Sequence, residues 1–452
     1  MRKVSFFCGK NIILMWALVW GLLFNKSVMI HISELKTVQE STKSGTAETK
    51  IAEIETNDSE ITTAKTKKII QQNNDNTPNL QAVLESNQPV IRVLLMTTDY
   101  KNYEHSEVSG ICNGEDFSYT AESPELGSSP VILDGGETGI TLTSIERQCG
   151  QPVYYGTLEI IKNGTALNLI NEVPLEAYLE SVVPSEMPAS YEPQALMAQA
   201  VCARTYAWKH LLREEMNGYS ANVDDSVNYQ VYGNVSPQER TTKAVKDTMG
   251  KILCQNDEPV DTYYFSTSAG VTSTDEIWGA EKAAPHLKSV ECTFDEEYPW
   301  SKWTVVIPWE HLQENAEIFT GNSSDLTGLE IQKKSQSGAV TGLQVDTENS
   351  SFVVETEYEV RKFLSPKGCI IEEKDGSRAE GGALLPSAYF SIKEYPGEKI
   401  ILTGGGYGHG VGMSQNGANQ MAKEGYSFEE ILEYFFKDTE LRVWTDDCLS
   451  DR

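Results

Sequence analysis

Apolar positions are spread unevenly along this chain, and their pattern divides it into unlike stretches. Residues 11–24 (NIILMWALVWGLLF) form one apolar run behind the basic Met1-Arg2-Lys3. Residues 32–87 show no apolar period and hold no aromatic residue. From residue 90 the pattern becomes strand-like. VIRVLLM at 90–96 reads as a buried strand, and short apolar or alternating runs follow at 130–133, 140–142 and 153–161. The last of these closes on a turn at Asn163-Gly164. A helix is predicted next: Ser190 suits its N-cap, Pro193 its first turn, and residues 194–215 contain neither Gly nor Pro. Its inward face is mostly small (Ala195, Ala198, Cys202, Ala203), which lets another element come close. Residues 299–390 read as strands with a helix, opened by Trp300, Trp303 and Trp309, either a packing anchor or a sugar-stacking platform. A Gly-rich loop then leads into two helices, the second with a capping box at Ser427 and Glu430.

This pattern predicts an α+β, two-lobed ectodomain over residues 88–446, with β-rich portions packed around the Ala-rich helix. Residues 299–390 are expected to form a second lobe or insertion. Residues 1–31 read as a signal-anchor, because no small-x-small cleavage site follows the apolar run. The positive charge ahead of that run sends the rest of the chain outside the cytoplasm. Residues 32–87 are too polar to offset their ordering entropy and read as a disordered, flexible tether.

Composition narrows the choices. A chain of 452 residues has ample length for two lobes. Its net charge of -29 leaves no basic face for phosphates, so no nucleic-acid partner is expected. Of the 8 cysteines none forms a CxxC pair, which argues against a zinc ribbon. Cys112 and Cys149 flank a polar stretch and are disulfide candidates outside the cell, a pairing that spacing does not establish. The 6 histidines are scattered, with no HExxH motif and no EF-hand loop, so neither metal nor cofactor is expected.

Four segments hold residues able to do chemistry. Glu186 lies in VVPSEMP with no Lys or Arg within ten residues on either side. Desolvation in apolar company raises a carboxyl pKa and leaves a proton donor near neutral pH. The plainer alternative is a solvated carboxylate in a Pro-rich turn before a helix. Gln199, Arg204 and Tyr206 are polar residues within the Ala-rich helix. A buried Arg requires a partner, so Arg204 is either a scaffold paired with a carboxylate or a ligand-binding group in a cleft. Ser266 and Ser268 alternate along an apparent strand (YYFSTSAG) and would share one face. The segment GGGYGHGVGMSQNG holds seven glycines in fourteen residues and contains His409 and Gln415. It fits no phosphate-binding loop, but it allows close approach to a ligand or another strand.

Three of these motifs, in order, resemble the SpoIID/LytB family (stage II sporulation protein D and the related LytB proteins). They are VPLEAYLESVVPSEMPASYEPQALMAQAVCARTYAW, YFSTSAG with a following WG, and GGGYGHGVGMSQNGA with QMAKEGYSFEEIL. The resemblance implies a peptidoglycan lytic transglycosylase acting on peptide-stripped glycan strands during engulfment in sporulation. It implies Glu186 as the catalytic acid. A lytic transglycosylase can use one carboxyl twice, whereas a hydrolase normally needs two. Arg204, Tyr206, Ser266, Ser268, His409 and Gln415 become candidates for lining the glycan cleft. A membrane complex with a cell-wall amidase/endopeptidase and another membrane protein is implied as well. Some similar proteins carry a His/Cys zinc cluster after the Ala-rich helix. Residues 221–232 here have neither His nor Cys, so no zinc is expected. A non-catalytic activator of an amidase is the alternative within the same family.

Overall fold

The computed structural model describes residues 88–444, with Ser128, Glu214, Glu215, Asn217 and Asn322 excepted. The anchor and the tether expected before residue 88 lie outside the described residues. Among the described residues the fold is α+β, with seven helices and several sheets. The helices are α1 (Leu175–Glu186), α2 (Pro193–Leu211), α3 (Glu239–Asp247), α4 (Trp309–Thr320), α5 (Glu357–Phe363), α6 (Gln415–Lys423) and α7 (Phe428–Phe435). None of them is long and apolar enough to cross a membrane.

The apolar run at residue 90 becomes strand Val90–Leu94. It pairs antiparallel with Ala166–Pro174 and parallel with Val223–Asp224 inside a five-stranded sheet. Ile91, Val93 and Leu94 are fully buried, as a strand packed on both faces requires. The run at 153–161 divides into Val153–Tyr154 and Thr157–Asn163. Gly156 separates them with φ +79, and a Cβ there would meet the Glu172 carbonyl at 2.2 Å. The predicted turn at Asn163-Gly164 closes a hairpin in which Asn163 faces Ala166.

Helix α2 starts two residues later than Ser190 would set it, at Pro193. Tyr191 N–H donates to the Pro188 carbonyl, holding Ser190 in a turn. Glu192 is the N-cap instead, and its N–H is satisfied by Asn419 Oδ1 at 2.8 Å. The helix ends at Leu211. Its small side chains admit α1, α3, α6, α7 and strand Lys251–Gln255 around it. One core gathers on Ala195, Ala198 and Cys202 together with Met421, Phe435 and Phe436. Trp208 stacks on Trp444 at 5.2 Å on another side of the helix.

A second core gathers between Trp303 and Leu402. It lies among α4, α5, strands Leu326–Lys334, Val340–Thr347 and Ser351–Glu355, and a five-stranded sheet with Trp303–Pro308 at its centre. Lys399–Gly404 pairs with that central strand, so the segment that completes this sheet lies past residue 390. The tryptophans act as packing anchors. Trp303 and Trp309 are buried and donate their indole N–H groups to the Gly406 and Leu326 carbonyls. Trp300 packs against Tyr407 at 4.6 Å. The disulfide considered for Cys112 and Cys149 is not formed. Both thiols are free, Cys112 facing the Asp134 carbonyl and Cys149 the Gly233 carbonyl. The capping box at Ser427 and Glu430 opens α7 as expected.

Candidate functional site

Glu186 is the last residue of α1, not a solvated residue ahead of a helix. Pro184 stands in that final turn, and Met187 leaves it in extended conformation with its N–H still bonded to the Val183 carbonyl. A carboxylate there meets the negative end of the helix dipole, which favours its neutral form. The side chain is half-buried. Its Oε1 accepts a hydrogen bond from the Val231 main-chain N–H at 2.7 Å, and the Tyr264 hydroxyl bonds the same carboxyl. Both donors favour the ionised form, but burial outweighs them and lifts the pKa to about 7.

A hydrogen-bond chain stands behind this carboxyl. The Tyr264 hydroxyl accepts from Gln230 Nε2 at 3.1 Å, which leaves its own proton for Glu186. Gln230 Oε1 accepts from the Tyr178 hydroxyl at 3.3 Å, and Nε2 also reaches the Ala203 carbonyl of α2. The segment holding Gln230 and Val231 is tied down on several sides. Asp225 forms a buried ion pair with Arg147 at 2.6 Å, and Asp224 accepts from Tyr103 and Ser226. Val235 N–H donates to Ser185 Oγ, one residue before the carboxyl. Among the described residues no group of three or more His, Cys, Asp or Glu side chains is arranged to hold a metal.

The Gly-rich segment reaches this place by lying against another strand. Met413 and Ser414 pair in parallel with Tyr264 and Phe265. A Cβ at Gly412, where φ is +81, would meet the Tyr263 carbonyl at 2.0 Å, so only glycine permits the approach. Gln415 then opens α6 and donates Nε2 to the Glu186 carbonyl at 3.1 Å and to Gln199 Oε1 at 3.3 Å. Gln415 is thus a neighbour of Glu186, engaged in holding its backbone rather than free for a ligand.

Three further expectations need correction. Arg204 is fully buried and makes a bidentate pair with Glu176, both bonds at 2.7 Å, so it belongs to the scaffold. Ser268 is also buried. Its Oγ accepts from Gly270 N–H and its N–H donates to Asp295, both within the protein. The strand ends at Phe265, so Ser266 and Ser268 do not share a strand face. His409 sits among Tyr263, Phe265 and Trp278, with Nδ1 accepting from Val411 N–H. Burial drives its pKa down to about 3, so its ring is neutral and packed.

Two expected residues remain beside the site. Ser266 is half-buried two residues past Tyr264, its hydroxyl sharing a hydrogen bond with Thr267. Tyr206 lies on the α2 face that also holds Gln199, Ala203 and His210, but it is buried and packs 4.5 Å from the His210 ring rather than lining an open cleft. Tyr178, Gln230, Val231 and Tyr264 were not singled out by the sequence. Tyr178 and Tyr264 fall inside the motifs as neutral phenols that carry no signal of a role, Gln230 falls outside them, and Val231 acts through its backbone.

Comparison with known proteins gives concordant matches. The family model described as SpoIID, stage II sporulation protein, matches residues 163–254, which span Glu186 and Gln230. A second model, described as a domain of unknown function (DUF8618), matches residues 279–412. The chain is 35% identical over 293 residues to stage II sporulation protein D of Bacillus subtilis (strain 168), covering 61% of this chain and 77% of that protein. Against stage II sporulation protein D of Bacillus amyloliquefaciens the identity is 31% over 291 residues, covering 61% and 76%. It is 30% identical over 295 residues to the amidase enhancer of Bacillus subtilis (strain 168), covering 58% of this chain and 40% of that protein. By the family model across Glu186 and by these identities, the chain belongs to the stage II sporulation protein D (SpoIID) family.

Proposed function

We propose that this chain is a cell-wall-acting protein of sporulation that cleaves the MurNAc–GlcNAc linkage of peptide-stripped glycan strands as a lytic transglycosylase. Protonated Glu186 gives its proton to the glycosidic oxygen, and the bond from that oxygen to the muramyl C1 breaks with the electron pair leaving on GlcNAc. The ionised carboxylate then accepts the proton of the muramyl 6-hydroxyl while its oxygen bonds to C1. A 1,6-anhydro end results, the acid is regenerated and no water is consumed.

One observation carries this reading: a half-buried carboxyl with a pKa of about 7, between a main-chain N–H and a phenol. Its value places both protonation states within reach at neutral pH, as a group used first as acid and then as base needs. No second carboxylate is among the groups that perturb it, which suits a one-carboxyl reaction better than hydrolysis. In this reading residues 1–31 are a signal-anchor that holds an extracytoplasmic body to the cell membrane, residues 32–87 a tether, and 299–390 a second lobe. The amidase enhancer among the relatives favours a second reading, a non-catalytic glycan-binding activator of a cell-wall amidase. The same relative supports a link with a cell-wall amidase, and the proposal extends this to a membrane complex with an amidase/endopeptidase and another membrane protein.

Purified peptide-free glycan strands treated with the wild type and with Glu186→Gln separate these readings. Mass spectrometry is expected to find anhydro-muramyl ends with the wild type and none with the variant. Ends lacking the anhydro group indicate an ordinary muramidase. No cleavage by either protein, with stimulation of an amidase by both, establishes the second reading.

A further inference from the structure

Gln199, Ala203, Tyr206 and His210 recur every three or four residues and so line one face of α2. The first two stand at the Glu186 end, through Gln415 and Gln230 respectively. The last two begin a row of rings. Tyr229 lies edge-on to His210 at 5.2 Å, His210 meets Tyr206 at 4.5 Å, and Tyr206 meets Tyr263 at 6.4 Å. Tyr263 in turn meets Trp278 at 5.1 Å. Tyr229, His210, Tyr263 and Trp278 all keep part of their surface open, and Tyr206 between them is buried and joins the two open pairs. We infer that this row is a sugar-stacking platform, which extends the binding of the glycan strand away from Glu186 along α2.

The inference rests on the lytic reading for its choice of ligand, and its geometry stands apart from the reaction. Sugars present apolar C–H faces and hydroxyl rims, and aromatic rings with polar edges match both. From Gln199 to His210 the helix rises by about 16 Å, longer than one sugar ring. The rings are held in place from behind. The Trp278 side chain bonds Glu357, itself paired with buried Arg361. Burial holds His210 down at about 4, leaving an uncharged ring at neutral pH. Beside the row, Asp261 pairs with both Lys209 and Arg213.

The test measures binding of peptide-free glycan strands to the full chain bearing Glu186→Gln, so that no substrate is consumed. Adding Trp278→Ala is expected to weaken binding about five- to tenfold, and Trp278→Phe to restore most of it. Circular dichroism checks the fold of each variant. If Trp278→Ala unfolds, Tyr229→Ala, at the far end of the row, takes its place with the same expected direction. Folded variants that bind as tightly as their parent overturn the platform. Normal formation of anhydro ends by the wild type with unaltered binding by the variants removes the platform alone. Weakened binding with no anhydro ends from the wild type sinks the reaction and keeps the platform.

Discussion

Gln415 donates its side-chain amide to the main-chain carbonyl of Glu186 across 3.1 Å, joining residues 229 positions apart in the chain. The bond fixes the end of α1 against the start of α6, so the aim of the carboxyl depends on a residue that never touches its oxygens. Without it, Glu186 retains its burial and its two donors but loses its backbone anchor. Gln415→Ala is therefore expected to lower kcat by up to roughly a hundredfold, with KM nearly unchanged, as small misplacements of a catalytic group do. Initial rates of anhydro-end formation over a range of glycan concentrations check this. A wild-type kcat removes Gln415 from the positioning of the acid.

Tyr264 is one of only two donors that oppose the burial of Glu186. In Tyr264→Phe the ionised carboxylate loses that hydrogen bond, so the pKa rises above its present value of about 7. Cleavage begins with the protonated acid, and activity falls as pH rises through that pKa. The alkaline limb of the pH–rate profile is therefore expected to move to higher pH in the variant. A limb that stays in place or moves down contradicts the assigned contact. Gln230 loses an acceptor in the same variant, which costs about 1 kcal/mol of stability, so thermal unfolding is measured beside the profile.

Elements with strong local signals were legible in the sequence. The strand at residue 90, the hairpin turn at Asn163-Gly164, the Ala-rich helix and the capping box of α7 all follow from periodicity and turn chemistry. The isolation of Glu186 from basic residues was legible too, so that burial raises its pKa with no cation to oppose it. The roles of polar residues were not, because a side chain's type does not reveal its direction. Arg204 and Gln199 lie on the same helix, five residues apart; one closes on Glu176 and the other contacts Gln415. Only the three-dimensional path of the chain decides which. Likewise the glycines at 404–412 indicated close approach, and the partners they approach, among them Trp303, Phe265, Tyr389 and Tyr263, come from separate parts of the chain.

Arg204 and Glu176 form a buried, doubly bonded pair that ties α2 to α1. Removing one partner leaves the other charged and unpaired in the interior. Arg204→Ala is expected to destabilise the protein by about 3–5 kcal/mol. Replacing both by apolar residues of similar volume, Arg204→Met with Glu176→Leu, removes the uncompensated charge, and stability is expected to recover most of that loss. Denaturant unfolding of the three proteins checks the order. Arg204→Ala with wild-type stability but reduced glycan binding would return Arg204 to the cleft.

Asp295 gives the fold a dependence on pH that is separate from the acid of the site. It is buried, with no cation beside it; Ser414 Oγ donates to its Oδ2 at 2.8 Å, and Ser268 N–H bonds the same oxygen. Burial raises its pKa from 3.8 to about 7 despite these donors. Below pH 3.8 the group is protonated in both folded and unfolded chains and has no effect on stability. Between that value and about 7 the unfolded chain ionises while the folded one stays protonated, so stability declines across this window and levels off above it. Each unit of the shift corresponds to about 1.4 kcal/mol. Asp295→Asn keeps an acceptor for Ser414 and Ser268 and cannot ionise. The variant is therefore expected to lose less Tm than the wild type between pH 5 and pH 7, with the two closest in stability at the acid end. Parallel Tm curves across that range would show that Asp295 is ionised, and stabilised by its hydrogen bonds, throughout.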